Sequence, residues 1–427
     1  MKSYKDFNWF KLDNAAKIYP ASHSKYWSNL FRVSATLKED VDIKILEQAV
    51  ANTIPRFPSL AARLSSGLFW YYLRPISSPP PILAEYSYPL AYMSKKEMFT
   101  CAFRVIVYKK RIALEIFHSL TDGTGGLIFL KALVAEYLEL KHGIKIPCEC
   151  GILDRREEPH DYEVEDSFIR HAANVKETRK DTNAWRIDGT PEDDDFLNVT
   201  NFSMDADIIH PLAKERGVTV NTYLSAVIMK SILALQFDLI HNPKKYKPVK
   251  LLIPINLRPL FGSRTLRNFA LYTIPEIDPK LGEYTLDEII SIVHHKVGMY
   301  ATKKNMSKMI ETNVADERSL IIRFIPLFLK NIVMKMVFNS VGEKKSCLSF
   351  SNLGVIRVPE EMGELVDRFD FILGPQAQAP YNCSAYTWDG RLNVTFSRNI
   401  KESRLESYFF REMQKLGIEV TVQTNQR

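Results

Sequence analysis

The stretch from residue 101 to residue 138 constrains the fold of this chain more than any other part of the sequence. Residues 101–108 and 111–117 are β-rich runs separated by Lys109-Lys110, which predicts a β-hairpin. Alternate residues of the second run point to one face, and this face holds Ile112, Leu114, Ile116 and His118. Apolar residues then recur at helical spacing over residues 127–138. The pattern therefore predicts a strand, a turn that carries a histidine, and a helix.

The turn itself reads His118-Ser-Leu-Thr-Asp122-Gly123. A base at the tip of a strand, held by a turn, is a common way to present a proton acceptor to a cavity. Because His118 lies on the same face of the strand as three aliphatic residues, we expect its ring to face the interior. The alternative is a core histidine followed by an ordinary Asp-Gly turn. Gly123, Gly125 and Gly126 also suggest a phosphate cradle, but no Gly-Lys-Ser/Thr follows, which argues against a P-loop.

Chain length and composition indicate the size and the broad class of the protein. A chain of 427 residues exceeds the usual single domain and predicts two lobes of about 200 residues each. Its 46% hydrophobic content is sufficient for sizeable cores. The net charge is +7, but the basic residues are scattered among 50 acids, so we expect no nucleic-acid partner. This balance suits an anionic small ligand or weak contact with an acidic membrane surface.

The cysteines and the first residues indicate a compartment. Five cysteines form an odd, sparse set, which predicts no disulfide framework and favours a reducing environment. Cys148-Glu-Cys150 has no second ligand pair, so we expect no metal site. The sequence Met-Lys-Ser-Tyr-Lys-Asp-Phe lacks the apolar core of a signal peptide. A cytoplasmic location is the expectation.

The order of elements predicts a mixed α+β fold with sheets flanked by helices. The first lobe covers residues 1–150 and has the order β/α/β/β/α, with a strand at 31–37 and a helix at 41–54. Residues 151–195 are acidic and polar and are predicted to be a solvated connection. The second lobe, 196–427, begins with a strand at 197–204 and closes with strands at 347–351, 368–373, 382–388 and 391–396.

The longest apolar region covers residues 320–338. It contains Arg323, Pro326, Lys330 and Lys335, which count against a transmembrane span. Pro326 instead suits the first residue of a helix that runs through residue 338. We expect this helix to be buried or to line a groove. The alternative is a membrane-interface helix with snorkelling lysines.

Three separated segments carry a family resemblance. They are His118-Ser-Leu-Thr-Asp122-Gly123, then Ile253-Pro-Ile-Asn256-Leu-Arg258-Pro259 followed by Arg267-Asn268-Phe269, and Ser349-Phe-Ser351-Asn352-Leu353-Gly354. Together with residues 31–60 they resemble the chloramphenicol acetyltransferase-like superfamily. This superfamily includes alcohol acetyltransferases, wax ester synthases, BAHD acyltransferases and the condensation domains of peptide synthetases.

The resemblance implies two similarly folded lobes that meet at a tunnel beside the histidine. Thioester donor and acceptor would enter this tunnel from opposite faces. His118 would be the general base, and Asp122 would be structural and paired with Arg258. On sequence alone, Arg258 is as readily a surface arginine beside a proline.

The resemblance also gives candidates for other roles. A thioester is already activated, so its attack needs a base and an oxyanion donor but no covalent enzyme intermediate. The Gly123 backbone N–H is the first candidate for that donor, with Ser351 and Asn352 as alternates that also suit a polar strand-end turn. A coenzyme A donor would favour cations at the tunnel mouth, although a residue of this kind is more often an ordinary solvated charge. These candidates are Arg264, Arg267, Lys344 and Lys345.

Departures from the family patterns favour the alcohol acetyltransferase branch over the condensation domains and the BAHD enzymes. Condensation domains usually have a second histidine where this chain has Phe117, and no carrier-protein domain is evident. The Asp-Phe-Gly-Trp-Gly segment of BAHD enzymes is missing, and residues 370–375 are only a loose echo of it. No Gly-x-Ser-x-Gly elbow indicates a serine nucleophile.

We therefore expect an acyl-CoA-dependent O-acyltransferase of the alcohol acetyltransferase type, which moves an acetyl or short acyl group to an alcohol or amine. Acyl-CoA would be a co-substrate, and no permanently bound cofactor is expected. One alternative is a condensation-type enzyme that uses carrier-protein-bound thioesters. The other is a non-catalytic relative that binds ligands in its groove.

Overall fold

The computed structural model describes residues 8–24, 27–85, 88–172, 182–318, 324–337, 343–374 and 379–426. Its strands are β1 (Phe10–Lys11), β2 (Leu30–Leu37), β3 (Ala62–Ser66), β4 (Tyr71–Pro75), β5 (Ile82–Ala84), β6 (Phe103–Tyr108), β7 (Arg111–Phe117), β8 (Asn198–Asp205), β9 (Val249–Asn256), β10 (Ala270–Thr273), β11 (Glu276–Ile277), β12 (Leu348–Val355), β13 (Val366–Leu373), β14 (Tyr381–Trp388), β15 (Arg391–Arg398) and β16 (Thr421–Thr424).

The helices of the described residues alternate with these strands. They are α1 (Ile18–Ser22), α2 (Ile43–Thr53), α3 (Lys95–Thr100), α4 (Gly123–His142), α5 (Asp161–Val164), α6 (Ser167–His171), α7 (Ala206–Glu215), α8 (Val220–Leu239), α9 (Arg258–Phe261), α10 (Leu286–Tyr300), α11 (Lys303–Arg318), α12 (Leu327–Val337), α13 (Glu360–Gly363) and α14 (Arg404–Lys415).

The first large sheet has the strand order β13-β2-β7-β6-β5. The hairpin predicted between residues 101 and 117 is present as the antiparallel pair of β6 and β7. Ile112, Leu114 and Ile116 are at most 1% exposed, as their shared parity requires for a core face. Helix α4 packs against β2 and β7 and closes one side of this sheet.

The second large sheet has the order β10-β9-β12-β14-β15-β8-β16, and β11 also pairs with β9. Strand β12 is parallel to both β9 and β14, so this sheet mixes parallel and antiparallel pairs. Helix α8 lies in the core beneath it, with α10 and α14 at its sides. By length and composition α8 could cross a membrane, yet 72% of its most apolar window is buried inside the fold.

Strand β13 joins the two halves of the chain. The sequence assigns it to the second lobe, whereas it pairs with β2 of the first sheet, from Val366↔Leu37 to Leu373↔Phe31. This pairing covers the edge of β2 that would otherwise carry unpaired backbone groups. Side chains of the second sheet bind the same strand, because Ser384 and Ser397 donate to the carbonyl oxygens of Phe371 and Leu373.

The connection between the lobes is packed against the fold at several of its described residues and exposed at others. The side chain of Glu163 is 4% exposed and forms two hydrogen bonds with Arg56, at 2.5 and 2.7 Å. Phe168 and Trp185 are also buried. The prediction of a solvated segment agrees with the exposed Glu157 and Glu158 but is wrong for Glu163, which is a buried ion-pair partner.

Helix α12 differs from the prediction that it is buried or lines a groove. It begins at Leu327, one residue after the predicted first residue Pro326, and most of its apolar side chains are exposed. Phe328 is 65% exposed and Ile332 is 55% exposed. The ends of the predicted region, residues 320–323 and 338, lie outside the described residues.

Candidate active site

The loop from His118 to Asp122 connects strand β7 to helix α4. The His118 backbone N–H donates to the Asn29 carbonyl oxygen (2.9 Å), which continues the pairing of β7 with β2 for one residue. Every residue from 112 to 122 is buried except His118, which keeps partial solvent exposure. His118 is thus the one residue of this stretch that is more than slightly exposed to solvent.

Asn268 fixes the orientation of the imidazole. His118 Nδ1 lies 3.1 Å from Asn268 Oδ1. The Asn268 Nδ2 group donates to the His118 carbonyl oxygen (3.0 Å) and to Asp13 Oδ2 (3.3 Å), and both partners are acceptors. This arrangement assigns Oδ1 to the side that faces the ring, so Nδ1 carries the proton. The Nε2 lone pair is then available as a proton acceptor.

Two aromatic rings enclose the imidazole. Tyr19 stacks on His118 with ring centroids 4.6 Å apart and an interplanar angle of 24°. Phe31 meets the ring edge-on at 5.2 Å. Burial lowers the pKa of His118 below its ordinary value, and the opposing effect of the Asp122 charge is smaller. The neutral form, which can accept a proton, is therefore favoured at neutral pH.

Asp122 holds the loop in place and is not available as a base. Its Oδ1 accepts from Gly125 N (3.2 Å) and Arg258 Nη2 (3.0 Å), and its Oδ2 accepts from Phe269 N (3.0 Å) and Arg258 Nη1 (2.9 Å). Burial alone would raise the pKa of Asp122, but the Arg258 charge and these hydrogen bonds outweigh it and lower the pKa. The carboxylate stays ionised and caps α4.

Arg258 in turn organises the segment that faces the histidine loop. Its Nε donates to the Thr265 carbonyl oxygen (2.7 Å) and its Nη2 to the Arg267 carbonyl oxygen (2.6 Å). Thr121 Oγ1 donates to the carbonyl oxygen of Leu266 in the same segment. Arg258 is only 8% exposed, so it is not the ordinary surface arginine that the sequence left open.

Gly125 and Gly126 allow close packing and do not form a phosphate cradle. A Cβ atom on Gly125 would lie 2.0 Å from Thr121 Oγ1 and 2.4 Å from the Leu266 carbonyl oxygen. A Cβ atom on Gly126 would lie 2.7 Å from a ring carbon of Phe31. Only glycine lets the first turn of α4 approach both segments this closely.

Arg267 belongs to a buried layer behind the histidine. The sequence proposed it as a coenzyme A ligand at a tunnel mouth, but it is 3% exposed. Its guanidinium lies 3.6 Å from Asp13 Oδ2 and donates to the Lys11 carbonyl oxygen. Burial raises the pKa of Asp13 to about 6, although the Arg267 charge acts in the opposite direction. Arg267 is thus a structural counter-ion, which corrects the sequence-based assignment.

The other two proposed oxyanion donors lie on β12 next to the start of α4. A Cβ atom on Gly123 would meet Leu353 Cδ2 at 3.1 Å, which places the 351–353 segment beside Gly123. Asn352 Oδ1 accepts from Gly354 N (2.8 Å), so its Nδ2 is the atom that can donate. Ser351 is half-buried. As the first residue of α4, Gly123 has a backbone N–H without a partner inside the helix.

The remaining basic candidates are not brought together. Arg264 is exposed and lies over the ring of Tyr162 at 5.5 Å. Lys344 and Lys345 precede β12 at the end away from Leu353. At about 3.3 Å per residue, Lys345 lies roughly 26 Å along the chain from Leu353. Arg264 lies two residues before Leu266, whose carbonyl oxygen accepts from Thr121 of the histidine loop.

A separate cavity of about 510 Å³ opens between the two large sheets. Arg32, Ser34 and Arg111 line it from the first sheet, and Asn201 and Thr395 from the second. Arg32 and Ser34 point to the face of β2 opposite to Phe31, so this cavity lies across the strand from His118. Among the described residues, no three His, Cys, Asp or Glu side chains are grouped to hold a metal ion.

Sequence reasoning missed two of the groups that hold the ring. Tyr19 and Asp13 lie in an N-terminal segment without a periodic pattern, so no signal marked them. Asn268 was part of a quoted motif, but its role depends on contacts with a loop 150 residues away.

Known structures share this architecture, although no family model matches the chain and no curated protein matches its sequence. Polyketide synthase associated protein 5 from Mycobacterium tuberculosis aligns at a TM-score of 0.57 and 14% identity, over 94% of this chain and 97% of its own. F. graminearum TRI101, complexed with coenzyme A and deoxynivalenol, aligns at a TM-score of 0.62 and 9% identity, over 96% and 99%.

The first condensation domain of the CDA synthetase aligns at a TM-score of 0.57 and 12% identity, over 94% of each chain. At such identities the likeness concerns the fold alone. The chain has the two-lobed chloramphenicol acetyltransferase-like fold, with mixed sheets flanked by helices.

Proposed function

We propose that this chain, which has a chloramphenicol acetyltransferase-like fold, is an acyl-CoA-dependent acyltransferase with His118 as general base. The observation that carries the proposal is the fixed tautomer of His118. Asn268 engages Nδ1 on a buried side, and the ring belongs to the one solvent-accessible residue of its loop. A neutral imidazole held in this way can remove a proton from an acceptor hydroxyl or amine.

The proposed reaction proceeds by direct attack on the thioester. His118 Nε2 takes the proton of the acceptor as its oxygen or nitrogen bonds to the thioester carbonyl carbon. The tetrahedral oxyanion then collapses, the carbon–sulfur bond breaks, and the imidazolium returns the proton to the thiolate that leaves. The charge of Asp122 remains with Arg258 throughout, because four hydrogen bonds occupy its carboxylate.

Stabilisation of the oxyanion is proposed for the start of α4. The Gly123 N–H points away from the helix body, and the helix dipole favours negative charge at this end. Ser351 and the Nδ2 group of Asn352 are alternates from β12. We further propose that donor and acceptor reach His118 through a tunnel between the lobes, with Arg264 near the coenzyme A entrance.

Known structures support the donor class. TRI101 of F. graminearum was crystallised with coenzyme A, and the Fusarium sporotrichioides TRI3 is a trichothecene 15-O-acetyltransferase. We propose an alcohol as acceptor and an acetyl or short acyl group as donor by analogy with these folds. A cytoplasmic site of action is part of the proposal, and the five cysteines are all unpaired.

The test is release of free thiol from acetyl-CoA in the presence of a panel of alcohols and amines. We expect turnover by the wild-type chain and loss of at least about 10³-fold in His118→Ala, since general base catalysis contributes about 10²–10⁴-fold. Circular dichroism and thermal melting of both proteins control for folding. Full activity of folded His118→Ala would overturn the mechanism.

The same fold in a condensation domain supports a second candidate, a condensation-type enzyme that uses carrier-bound thioesters. Mass spectrometry of products formed from acyl-CoA, compared with those formed from acyl-carrier protein, separates the two. Product only from the carrier protein would replace our proposal with the second candidate. A folded chain with neither activity would favour the groove-binding relative.

A further inference from the structure

Helix α12 turns most of its apolar side chains outward, unlike a helix that packs on the surface of a folded core. Its outward residues are Phe328, Leu329, Ile332, Val333 and Met336, which are 43–65% exposed. At 100° per residue these five cover one continuous arc of about 140°. The inward side carries Lys330, which is 4% exposed, and Asn331, together with the half-buried Leu327 and Met334.

Specific contacts keep the polar side of α12 turned inward. Lys330 Nζ donates to the Phe69 carbonyl oxygen (3.0 Å) and lies 3.5 Å from the ring centroid of Trp70. Asn331 Nδ2 donates to the Tyr71 hydroxyl (3.0 Å). The helix is thus anchored to the protein through its polar residues, and rotation that would bury the apolar arc would break these contacts.

Neighbouring residues extend the apolar arc. Leu68 is 72% exposed, and its carbonyl oxygen accepts from Leu327 N (2.9 Å) at the start of α12. Phe324 is 68% exposed and packs edge-on against Phe69. A contiguous exposed apolar surface of this kind marks an interaction site. We call it the α12 surface and define it as Leu68, Phe324 and the five outward residues of the helix.

The charge around the α12 surface identifies the partner. The two segments that form it, residues 62–75 and 324–337, contain four cations, Arg63, Arg74, Lys330 and Lys335, and no Asp or Glu. Lys330 is buried on the inward side, whereas Lys335 is exposed and borders the apolar arc. An apolar helix face bordered by an exposed lysine, on segments that carry cations and no acid, suits the headgroup region of an anionic bilayer.

We propose that the α12 surface docks this protein on anionic lipid membranes, with α12 lying flat in the headgroup region. The apolar arc enters the acyl boundary, and Lys335 and its basic neighbours face the lipid phosphates. Helix α12 packs against α1, which carries Tyr19, the residue stacked on His118. A docked membrane would therefore lie on the same side of the molecule as α1. The docking does not depend on the proposed catalytic activity.

The experiment is flotation of the full chain with vesicles of phosphatidylcholine alone or of phosphatidylcholine with phosphatidylserine. We expect partition onto the anionic vesicles, weaker partition onto the neutral ones, and a decrease as salt rises. The double variant Phe328→Asp, Ile332→Asp should lower the partition coefficient about tenfold or more. Lys335→Gln should lower it about fivefold on anionic vesicles only.

Leu281→Asp is the matched control, because Leu281 is 80% exposed in the second half of the chain, away from α12. It should bind vesicles like the wild type. Since every substituted side chain is on the surface, circular dichroism should show that all variants are folded. Equal partition of the wild type and the double variant, or no partition of the wild type, would overturn the proposal.

Sedimentation velocity tests whether a second copy of the chain, and not a membrane, binds the α12 surface. A wild-type dimer that the double variant disperses, without binding of vesicles, would assign the surface to a second copy of the chain and reject the membrane. A monomer that binds anionic vesicles supports the proposal.

Discussion

Asn268 decides which nitrogen of His118 can act as a base. Its Oδ1 accepts from Nδ1, and its Nδ2 is held by the His118 carbonyl oxygen and by Asp13. An imidazole without such a partner can rotate or adopt the other tautomer, which presents a proton where a lone pair is needed. Asn268 is thus a positioning residue for the proposed reaction.

Two substitutions of Asn268 should have different kinetic signatures. Asn268→Ala removes the acceptor for Nδ1–H and should lower kcat by about 10²-fold, since orienting partners of a histidine contribute about 10–100-fold. Asn268→Asp places a carboxylate beside the ring and raises the pKa of His118, because a nearby negative charge favours the imidazolium. The acid limb of kcat/KM against pH should therefore move to higher pH.

Asn52→Ala is the control for both variants. Asn52 donates a hydrogen bond to the Glu136 carboxylate between α2 and α4 and does not contact His118. The pH profile of this control should match that of the wild type. An unchanged acid limb in folded, active Asn268→Asp would contradict the assigned role.

At the scale of elements, the start of α4 depends on Gly125. A methyl group there would overlap the Leu266 carbonyl oxygen and Thr121 Oγ1, and the first is backbone that cannot rotate away. Gly125→Ala should therefore lower the free energy of unfolding by about 2–4 kcal/mol. Denaturant titration of wild type and variant measures this difference.

Gly298→Ala is a control for which the free energy of unfolding should change in the opposite direction. Gly298 lies inside α10, and a Cβ atom built on it meets nothing within 4 Å. Gly298→Ala should raise the free energy of unfolding by about 0.5–1 kcal/mol through helix propensity. Similar effects of the two substitutions would show that packing against residue 266 does not hold α4.

At the scale of the whole molecule, the Asp122–Arg258 pair joins the two halves of the chain at the candidate site. Removal of one partner of a buried pair leaves the other charge uncompensated and costs about 3–5 kcal/mol. Asp122→Asn should lower the free energy of unfolding by this amount near pH 7. A double-mutant cycle with Arg258→Gln should show strong coupling between the two positions.

The pH dependence of this loss follows from the direction of the pKa shift. The folded-state pKa of Asp122 lies below its unfolded value of 3.8, so the pair stabilises the fold fully above the unfolded pKa. The contribution is lost as the pH falls through the folded pKa. The difference between wild type and Asp122→Asn should be constant from pH 7 to about 5 and shrink below about 4.

Asp367→Asn, at an exposed aspartate, should show no comparable difference. A difference between wild type and Asp122→Asn that grows as the pH falls would contradict the direction of the shift.

The sequence by itself determined the local order of the first lobe and the position of its histidine. Period-two and period-3.6 patterns report burial of one face of a strand or helix, so the hairpin, α4 and the placement of His118 followed from them. The family resemblance added Asp122 and Arg258 as partners, and the structure pairs them. It also implied the two-lobed α+β architecture, which the known structures share.

Only the tertiary structure decided which long-range partners each residue has. From the sequence, Arg267 and Glu163 were expected to be solvated charges. Their counter-ions, Asp13 and Arg56, lie more than 100 residues away along the chain and could not be identified. The outward apolar face of α12 could not be predicted either, since periodicity shows that a helix has two faces but not which one meets the protein. Strand β13 joined the first sheet because edge pairing depends on which backbone is left uncovered, and sequence order does not encode that.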